Sequence, residues 1–346
     1  MRIADFQIDR DSKVFIIAEL SANHNQNKKN AIESIRAAKR AGADCIKLQT
    51  YTPDTLTLNS KLSDFQIKSG PWKGQYLYDL YQQAYTPWEW HKELFHVASE
   101  EGLIAFSSPF DSTAVDFLEE LDVPAYKIAS FEITDIPLIE YVASKGKPII
   151  ISTGIATESD IELAVSTCKK IGNDQIALLK CTSSYPAPIE EANLKLIPDL
   201  AEKFQVISGL SDHTLGSTVP IVATIFGAKI IEKHFILNHN IGGPDASFSM
   251  DENEFSGMVR AVRDAEQSIG SISYELTEKQ KQGRELSRSL YAVKDIKLGE
   301  KITLDNVRSI RPGYGMHPKK LKLILGQMVN RDVNRGESIS ETMFNE

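Results

Sequence analysis

An α/β fold of the TIM (β/α)8 barrel type followed by a small β-rich domain is what the sequence predicts, from three observations. Eight short, strand-like apolar runs alternate with segments of helical period over about the first 270 of the 346 residues. None of these runs is followed by a GxGxxG or GxxxxGK[ST] turn, so the signature of a nucleotide-binding open sheet is missing. From about Lys279 the long helical period stops, and short apolar stretches broken by glycines replace it.

The expected strands are VFIIAEL (14–20), CIKLQT (45–50), IAFSSP (104–109), AYKIAS (125–130), PIIIST (148–153), IALLKC (176–181), QVISGL (205–210) and IIEKHF (230–235). Helical patterns fall between them at 31–43, 87–102, 112–122, 158–172 and 217–228, several ending near glycine as helix C-termini often do. The stretch 251–270 reads as the closing helix. Segment 52–87, after the second strand, is far longer than an ordinary βα loop. Long ordered loops tend to be functional, so it is expected on the catalytic face. The expected organisation is a catalytic barrel at 1–278, a polar linker at 279–289 and a β-rich domain at 290–346. Within that domain KLGEKIT and NRGESIS each join a glycine turn to an apolar strand start and read as two hairpins.

A composition of 42% hydrophobic and 25% charged residues is that of a globular chain, and the net charge is −8 with a pI near 5.5. Nucleic acid or an anionic membrane would bind against that average field, so neither is expected as a partner. A small anion held by a few local cations remains compatible. No run approaches the roughly 18–20 apolar residues of a membrane span, and MRIADFQIDRDSK carries charges where a signal peptide would be apolar. A cytoplasmic location is the expectation. Cys45, Cys168 and Cys181 form no CxxC pair or disulfide framework, and Cys45 and Cys181 read as buried strand residues.

Barrel enzymes place their chemistry at the C-terminal ends of the strands. Polar residues there form a ring: Glu19, Asn23 and His24; Lys47 and Gln49; Ser107 and Ser108; Lys127, Ser130 and Glu132; Ser152 and Thr153. It continues through Thr182, Ser183 and Tyr185; Ser211, Asp212 and His213; and Glu232, Lys233, His234 and Asp245. Lys47 and Lys127 lie between apolar neighbours and so need anionic partners. A strand carboxylate such as Glu19 or Glu232 would serve, and so would a bound phosphate or carboxylate beside the Ser and Thr hydroxyls. His213 and His234 end adjacent strands. With Asp245 or Glu19 nearby they suit either ordinary hydrogen bonding or a divalent cation with open positions. His91, His96, His239 and His317 read as structural.

SANHNQ (21–26), IKLQTYTPDTLT (46–57), SSPFD (107–111), YKIASFEITD (126–135), STG (152–154), CTSSYPAP (181–188), GLSDHT (209–214), EKHF (232–235) and GPDASFS (243–249) together resemble the sialic acid synthase family along the whole barrel. The tail resembles the antifreeze-like, or SAF (β-clip), domain that closes those enzymes. Barrel synthases of octulosonate and heptulosonate phosphates also use phosphoenolpyruvate but lack that tail, so residues 285–346 argue against them.

The resemblance implies condensation of phosphoenolpyruvate with an open-chain amino sugar at a divalent metal site using Mn2+, Mg2+ or Co2+. It implies that Lys47, Ser108, Lys127, Ser130, Ser152, Ser183 and Ser211 hold phosphoenolpyruvate. Ser108 stands where relatives often have Thr, and Ser183 where relatives using N-acetylmannosamine commonly have Asn. His213 and His234 match the metal ligands and, with Glu132 and Lys127, the catalytic set. Glu19, Asn23, Gln49, Tyr185 and Asp245 match the sugar-lining positions. Arg311, in IRPGYG, matches an arginine that the SAF domain lends to the partner subunit, which implies a domain-exchanged homodimer. SANHNQ and residues 72–91 are most similar to the branch whose sugar is a diacetamido trideoxy hexose of altro configuration. The tryptophans and tyrosines of TPWEW (86–90) and LYDLY (77–81) are expected to cover that sugar's methyl group, with packing of the second helix against the barrel as the alternative for Trp88 and Trp90.

Overall fold

The computed structural model describes residues 1–344. Eight parallel strands close into a barrel: β1 Phe15–Glu19, β2 Cys45–Thr50, β3 Ile104–Pro109, β4 Tyr126–Ile128, β5 Ile149–Ser152, β6 Ile176–Cys181, β7 Ile207–Asp212 and β8 Ile230–His234. Each pairs with its neighbours in sequence, and β8 closes on β1 with Ile230 opposite Phe15 and His234 opposite Glu19. All eight expected strands are present, and β7 runs past the expected end to Asp212. A parallel barrel is covered on both faces, which is why a strand such as β5 is buried at every position and reads as an unbroken apolar run.

Eight helices surround the strands: α1 Lys28–Arg40, α2 Trp88–Glu100, α3 Ser112–Glu120, α4 Ile136–Ser144, α5 Glu158–Lys170, α6 Leu196–Phe204, α7 Thr218–Ile225 and α8 Glu252–Ile269. Asp111 caps α3, and capping boxes from Thr157 and Asp251 start α5 and α8. The sequence reading did not single out α4 and α6. Each is nine residues long and carries a proline in its first turn, Pro137 and Pro198.

Parallel neighbours in register share a face, and at the C-terminal end of the barrel this brings chemistry together. Glu19 lies between Lys47 and His234, Ser211 between Cys181 and Glu232, and Gln49 beside Ser108. β7 fits closely against its neighbours only because residue 209 is glycine. A Cβ there would lie 2.4 Å from the Ile230 carbonyl oxygen and 2.7 Å from Leu179 Cδ2.

The long segment after β2 is ordered. It forms a helical turn at Pro53–Leu56, a 3-10 turn at Ser63–Phe65, a bridge between Gln66 and Tyr76, and a helix at Leu77–Ala84.

The chain divides into two compact units, Met1–Gly270 and Ser271–Glu346, ahead of the boundary expected at 278. The expected linker holds a short helix, Glu278–Arg284, started by a Thr277–Gln280 capping box. In the second unit β9 Ser289–Ala292 and β10 Val307–Ile310 pair antiparallel over a core that includes Leu290, Ile296, Val307, Val333 and Ile339. The residues that lead into KLGEKIT and NRGESIS are tied to each other, because Ile296 and Val333 exchange both backbone hydrogen bonds at 2.8 Å. Gly299 and Gly336 take matching left-handed turns after them. Among the described residues no helix is long and apolar enough to cross a membrane.

Candidate active site

A cavity of about 430 Å³ opens at the C-terminal ends of the strands. Its floor is a buried group of two lysines and two glutamates. Lys47 Nζ lies 2.7 Å from Glu19 Oε2 and 3.4 Å from Glu232 Oε1, and Lys127 Nζ lies 3.6 Å from Glu232 Oε1. Lys47 donates to Ser108 Oγ at 3.2 Å and Lys127 to Ser152 Oγ at 2.7 Å. Both lysines thus have the strand-carboxylate partners that the sequence left open, and both retain hydroxyl neighbours suited to an anion.

Burial raises Glu19 to about 7 against the pull of Lys47, with Glu232 adding to the rise. Burial also acts to raise Glu232, but Lys127 and Lys47 outweigh it and hold that carboxyl below its ordinary value. Lys127 is pulled down by burial, which Glu232 only partly offsets.

The imidazoles of His213 and His234 lie side by side, with ring centroids 5.3 Å apart. His213 Nδ1 donates to the Thr182 carbonyl at 3.0 Å, which leaves Nε2 as its other ring nitrogen. His234 Nδ1 is buried with no hydrogen-bond partner and lies 3.8 Å from Asp245 Oδ2. Burial, with His213 and nearby lysines, keeps His234 neutral. A neutral imidazole with an orphaned nitrogen beside a second imidazole and a carboxylate offers the donor types a divalent cation takes, although the three do not all bring a ligand atom within 4.8 Å of one another. Burial pulls His213 down, but its contacts with Cys181 and the Thr182 carbonyl raise it overall.

The segment between the histidine strands is clamped from outside the cavity. Lys233 Nζ donates to Asp212 Oδ2 at 2.5 Å and to the Thr214 carbonyl, while Asp212 accepts from the Thr214 amide at 3.0 Å and from its hydroxyl at 3.1 Å. His213 lies between these two anchored residues and His234 follows Lys233. One buried ion pair therefore fixes the backbone that carries both rings.

Glu132 enters from the turn after β4, and its Oε2 is buried without a partner. Burial raises it to about 7 despite the pull of Lys127. Ser130 and Ser183 converge on Gly154, where a Cβ would lie 2.6 Å and 2.1 Å from their hydroxyls, and the Gly154 amide donates to Ser130 Oγ at 2.9 Å. Ser211 donates to Glu232 at 3.3 Å. Gln49 Nε2 links Glu19 at 2.9 Å to Ser21 Oγ at 3.0 Å, and Ser21 donates onward to Asp245 at 2.6 Å. Tyr185 packs on His213 at 4.5 Å between centroids.

Not every predicted residue reaches the cavity. Asn23 is fully buried away from the lining, with its amide donating to the Phe235 carbonyl and Ser249 Oγ. Arg311, expected to serve a partner's barrel rather than its own, is exposed in the second unit. Trp88 stacks on Phe117 at 4.7 Å and donates to the Tyr51 carbonyl, and Trp90 packs on His24, so both tryptophans pack the second helix rather than cover a ligand.

Their place is taken by Trp72, the first residue of the 72–91 stretch. It donates to the Pro244 carbonyl at 3.0 Å and packs on Tyr185. Ser21 and Cys181 were missed as neighbours of the site. Ser21 has a left-handed backbone (φ 46°), uncommon for a non-glycine residue and frequent at functional positions. Cys181 Sγ lies 3.8 Å from His213 Nδ1. Among the described residues, the one group of three side chains close enough to share a metal is His239, Asp251 and Glu254. It lies apart from the floor at the start of α8, where the α8 capping box and a His239–Glu254 pair account for its contacts.

A closed parallel barrel with ionisable groups gathered over a cavity at its strand ends defines a barrel enzyme. The chain belongs to the NeuB family, whose model matches residues 34–274, and a SAF domain model matches residues 287–345. A pseudaminic acid synthase of Campylobacter jejuni is 49% identical over 344 residues, covering 99% of this chain and 100% of that protein. The pseudaminic acid synthase of Helicobacter pylori is 49% identical over 326 residues, covering 94% and 96%. The crystal structure of the Bacillus subtilis spore coat polysaccharide biosynthesis protein spsE superposes with a TM-score of 0.68 at 33% identity, covering 100% of this chain and 99% of that one. The family resemblance read from the strand-end motifs is thereby established, and the chain is an enzyme of the sialic and pseudaminic acid synthase kind.

Proposed function

We propose that this enzyme condenses phosphoenolpyruvate with open-chain 2,4-diacetamido-2,4,6-trideoxy-altrose and water, giving pseudaminic acid and phosphate. The observation that carries the reading is the presence in one cavity of two buried, hydroxyl-flanked lysines, a histidine pair and a carboxyl poised near neutrality. The 49% identity to enzymes named for that product supports the branch.

In this reading Lys47 and Lys127 turn from their glutamates toward the carboxylate and phosphate of phosphoenolpyruvate and hold C3 against the aldehyde carbon, a contribution of positioning. The new C–C bond forms there, the aldehyde oxygen takes a proton, and C2 gains oxocarbenium character. Ionised Glu132 stabilises that charge. Water adds at C2, giving one proton to Glu132 to replace the one taken up by the aldehyde oxygen; the C2–O bond to phosphate then breaks as the new C2 hydroxyl becomes the keto group and its proton leaves with phosphate. With a carboxyl near 7, Glu132 suits both the electrostatic role and the acceptance of that proton. A divalent cation, Mn2+, Mg2+ or Co2+, would be held by His213 and His234 and would supply Lewis acidity toward the aldehyde oxygen.

The functional unit in this reading is a homodimer in which each C-terminal unit presents Arg311 to the other chain's barrel. Four successive βα loops expose Phe131, Ile155, Ile189 and Leu215 near the barrel mouth, an apolar rim suited to being covered. The test is mass spectrometry of products, with phosphate release, from phosphoenolpyruvate and a panel of hexoses. A nonulosonic acid formed from the diacetamido trideoxy sugar supports the proposal. Equal turnover of N-acetylmannosamine overturns the branch, and no phosphate release with any sugar overturns the reaction.

A further inference from the structure

We propose that the cavity wall contributed by residues 51–84 selects the sugar, by taking its methyl-bearing end while the floor takes its reacting end. The inference rests on the reading of the floor as the condensing site.

The cavity is two-sided. Its charged groups come from strand ends and from the loops after β4 and β8 that carry Glu132 and Asp245, whereas the segment after β2 supplies Tyr51, Leu56, Leu77, Leu80, Tyr81 and Ala84. Tyr51 is the keystone, packed edge-on against Tyr81 at 5.7 Å and Phe110 at 5.1 Å. The polar atoms that this segment's lining side chains bring are two tyrosine hydroxyls and the Trp72 N–H, and the latter is already committed to the Pro244 carbonyl.

A sugar end rich in hydroxyls would lose water against this wall and find few partners, which is costly. Methyl groups, on a deoxygenated terminal carbon or an acyl amide, gain from the same burial. The ligand class that fits is therefore a deoxy, N-acylated hexose with its aldehyde toward His213 and His234. Because the wall lies on an insertion and the chemistry on strands, selection is separable from catalysis.

The experiment measures kcat/KM for the diacetamido trideoxy hexose and for its counterpart bearing a terminal hydroxyl, in the wild type, Leu77→Asn and Ala84→Ser. Both positions are half-buried on a short surface helix, so Ala84→Ser carries the test if Leu77→Asn fails to fold. The wild type should prefer the deoxy sugar by up to about 100-fold, and each variant should narrow the ratio by about 10-fold. A merely structural role would lower both values together and leave the ratio fixed. Turnover with an unchanged ratio in both variants overturns the inference alone. No turnover of either sugar by the wild type overturns the reading of the site and this inference with it.

Discussion

The floor and the wall of the cavity are built by different means. The floor sits on strands whose register fixes which side chains meet, with Glu19 opposite both Lys47 and His234, and its groups are held by buried ion pairs and hydrogen bonds. The wall sits on a segment with a four-residue turn, a single bridge and an eight-residue helix, and it is held by aromatic contacts. A barrel fixes strand ends through its hydrogen-bonded register and leaves its loops replaceable. The difference teaches where to look for each property: reaction chemistry in the register, substrate choice in the insertion.

The largest expected effect breaks the floor outright. His213→Ala or His234→Ala should lower kcat by at least about 1000-fold while thermal unfolding stays close to wild type, because rim residues contribute little to the apolar core. Chelator-treated wild type should lose activity and regain it with Mn2+. Full turnover in metal-free enzyme would remove these histidines from the metal role. Lys127→Ala comes next. Removing a buried cation that faces an anion should raise KM for phosphoenolpyruvate by about 10- to 100-fold. The preference between deoxy and hydroxylated sugars should not move. A shifted sugar preference would mean that floor and wall are not separable, and an unchanged KM would make Lys127 a structural partner of Glu232.

How much of this was legible from residues alone follows the same division. The eight strands, the lysine pair and the histidine pair were readable because short apolar runs alternating with helical period, and position at a strand end, are local properties of the sequence. Asn23 resembled a site residue because it follows β1, yet the turn directs its amide to Phe235 and Ser249. Tyr81 was readable as part of LYDLY on the long segment, but which of that segment's aromatics reach the cavity depends on how it folds back, which no local period encodes. Trp88 and Trp90 attracted notice as large aromatics, but helical phase turns them onto Phe117 and His24. Glu232 was readable as a candidate partner for one strand lysine. That it serves both lysines is a property of barrel closure.

A smaller effect asks whether floor and wall are complete in one chain. Arg311→Ala and Glu132→Gln chains, each nearly inactive alone, are to be mixed and allowed to exchange subunits. If the C-terminal unit serves the partner's barrel, one site of each mixed dimer is unmutated and the other carries both lesions, so activity should recover toward half of wild type per mixed dimer. Closure within one chain leaves a lesion in every site. No recovery after verified exchange would refute the domain-exchanged arrangement.

The smallest effect is on stability, where floor and wall should respond with opposite signs. Glu132 is held near 7 by burial, above the 4.5 of an ordinary glutamate. Between those values the folded state binds more protons than the unfolded one, so stability falls as pH rises, and by pH 8 the full cost of a buried charge is present. Glu132→Gln removes that cost and should raise the melting temperature more at pH 8 than at pH 5, by a few degrees, for a difference on the order of 1–2 kcal/mol. Leu80→Ala in the wall deletes a buried apolar side chain and should destabilise by about 2–4 kcal/mol, equally at both pH values. Thermal unfolding of the two variants at both pH values checks the contrast. If Glu132→Gln melts at or below wild type at pH 8, the floor carboxyl is not strained by its burial, and the contrast between a floor tuned for charge and a wall tuned for packing loses its energetic basis.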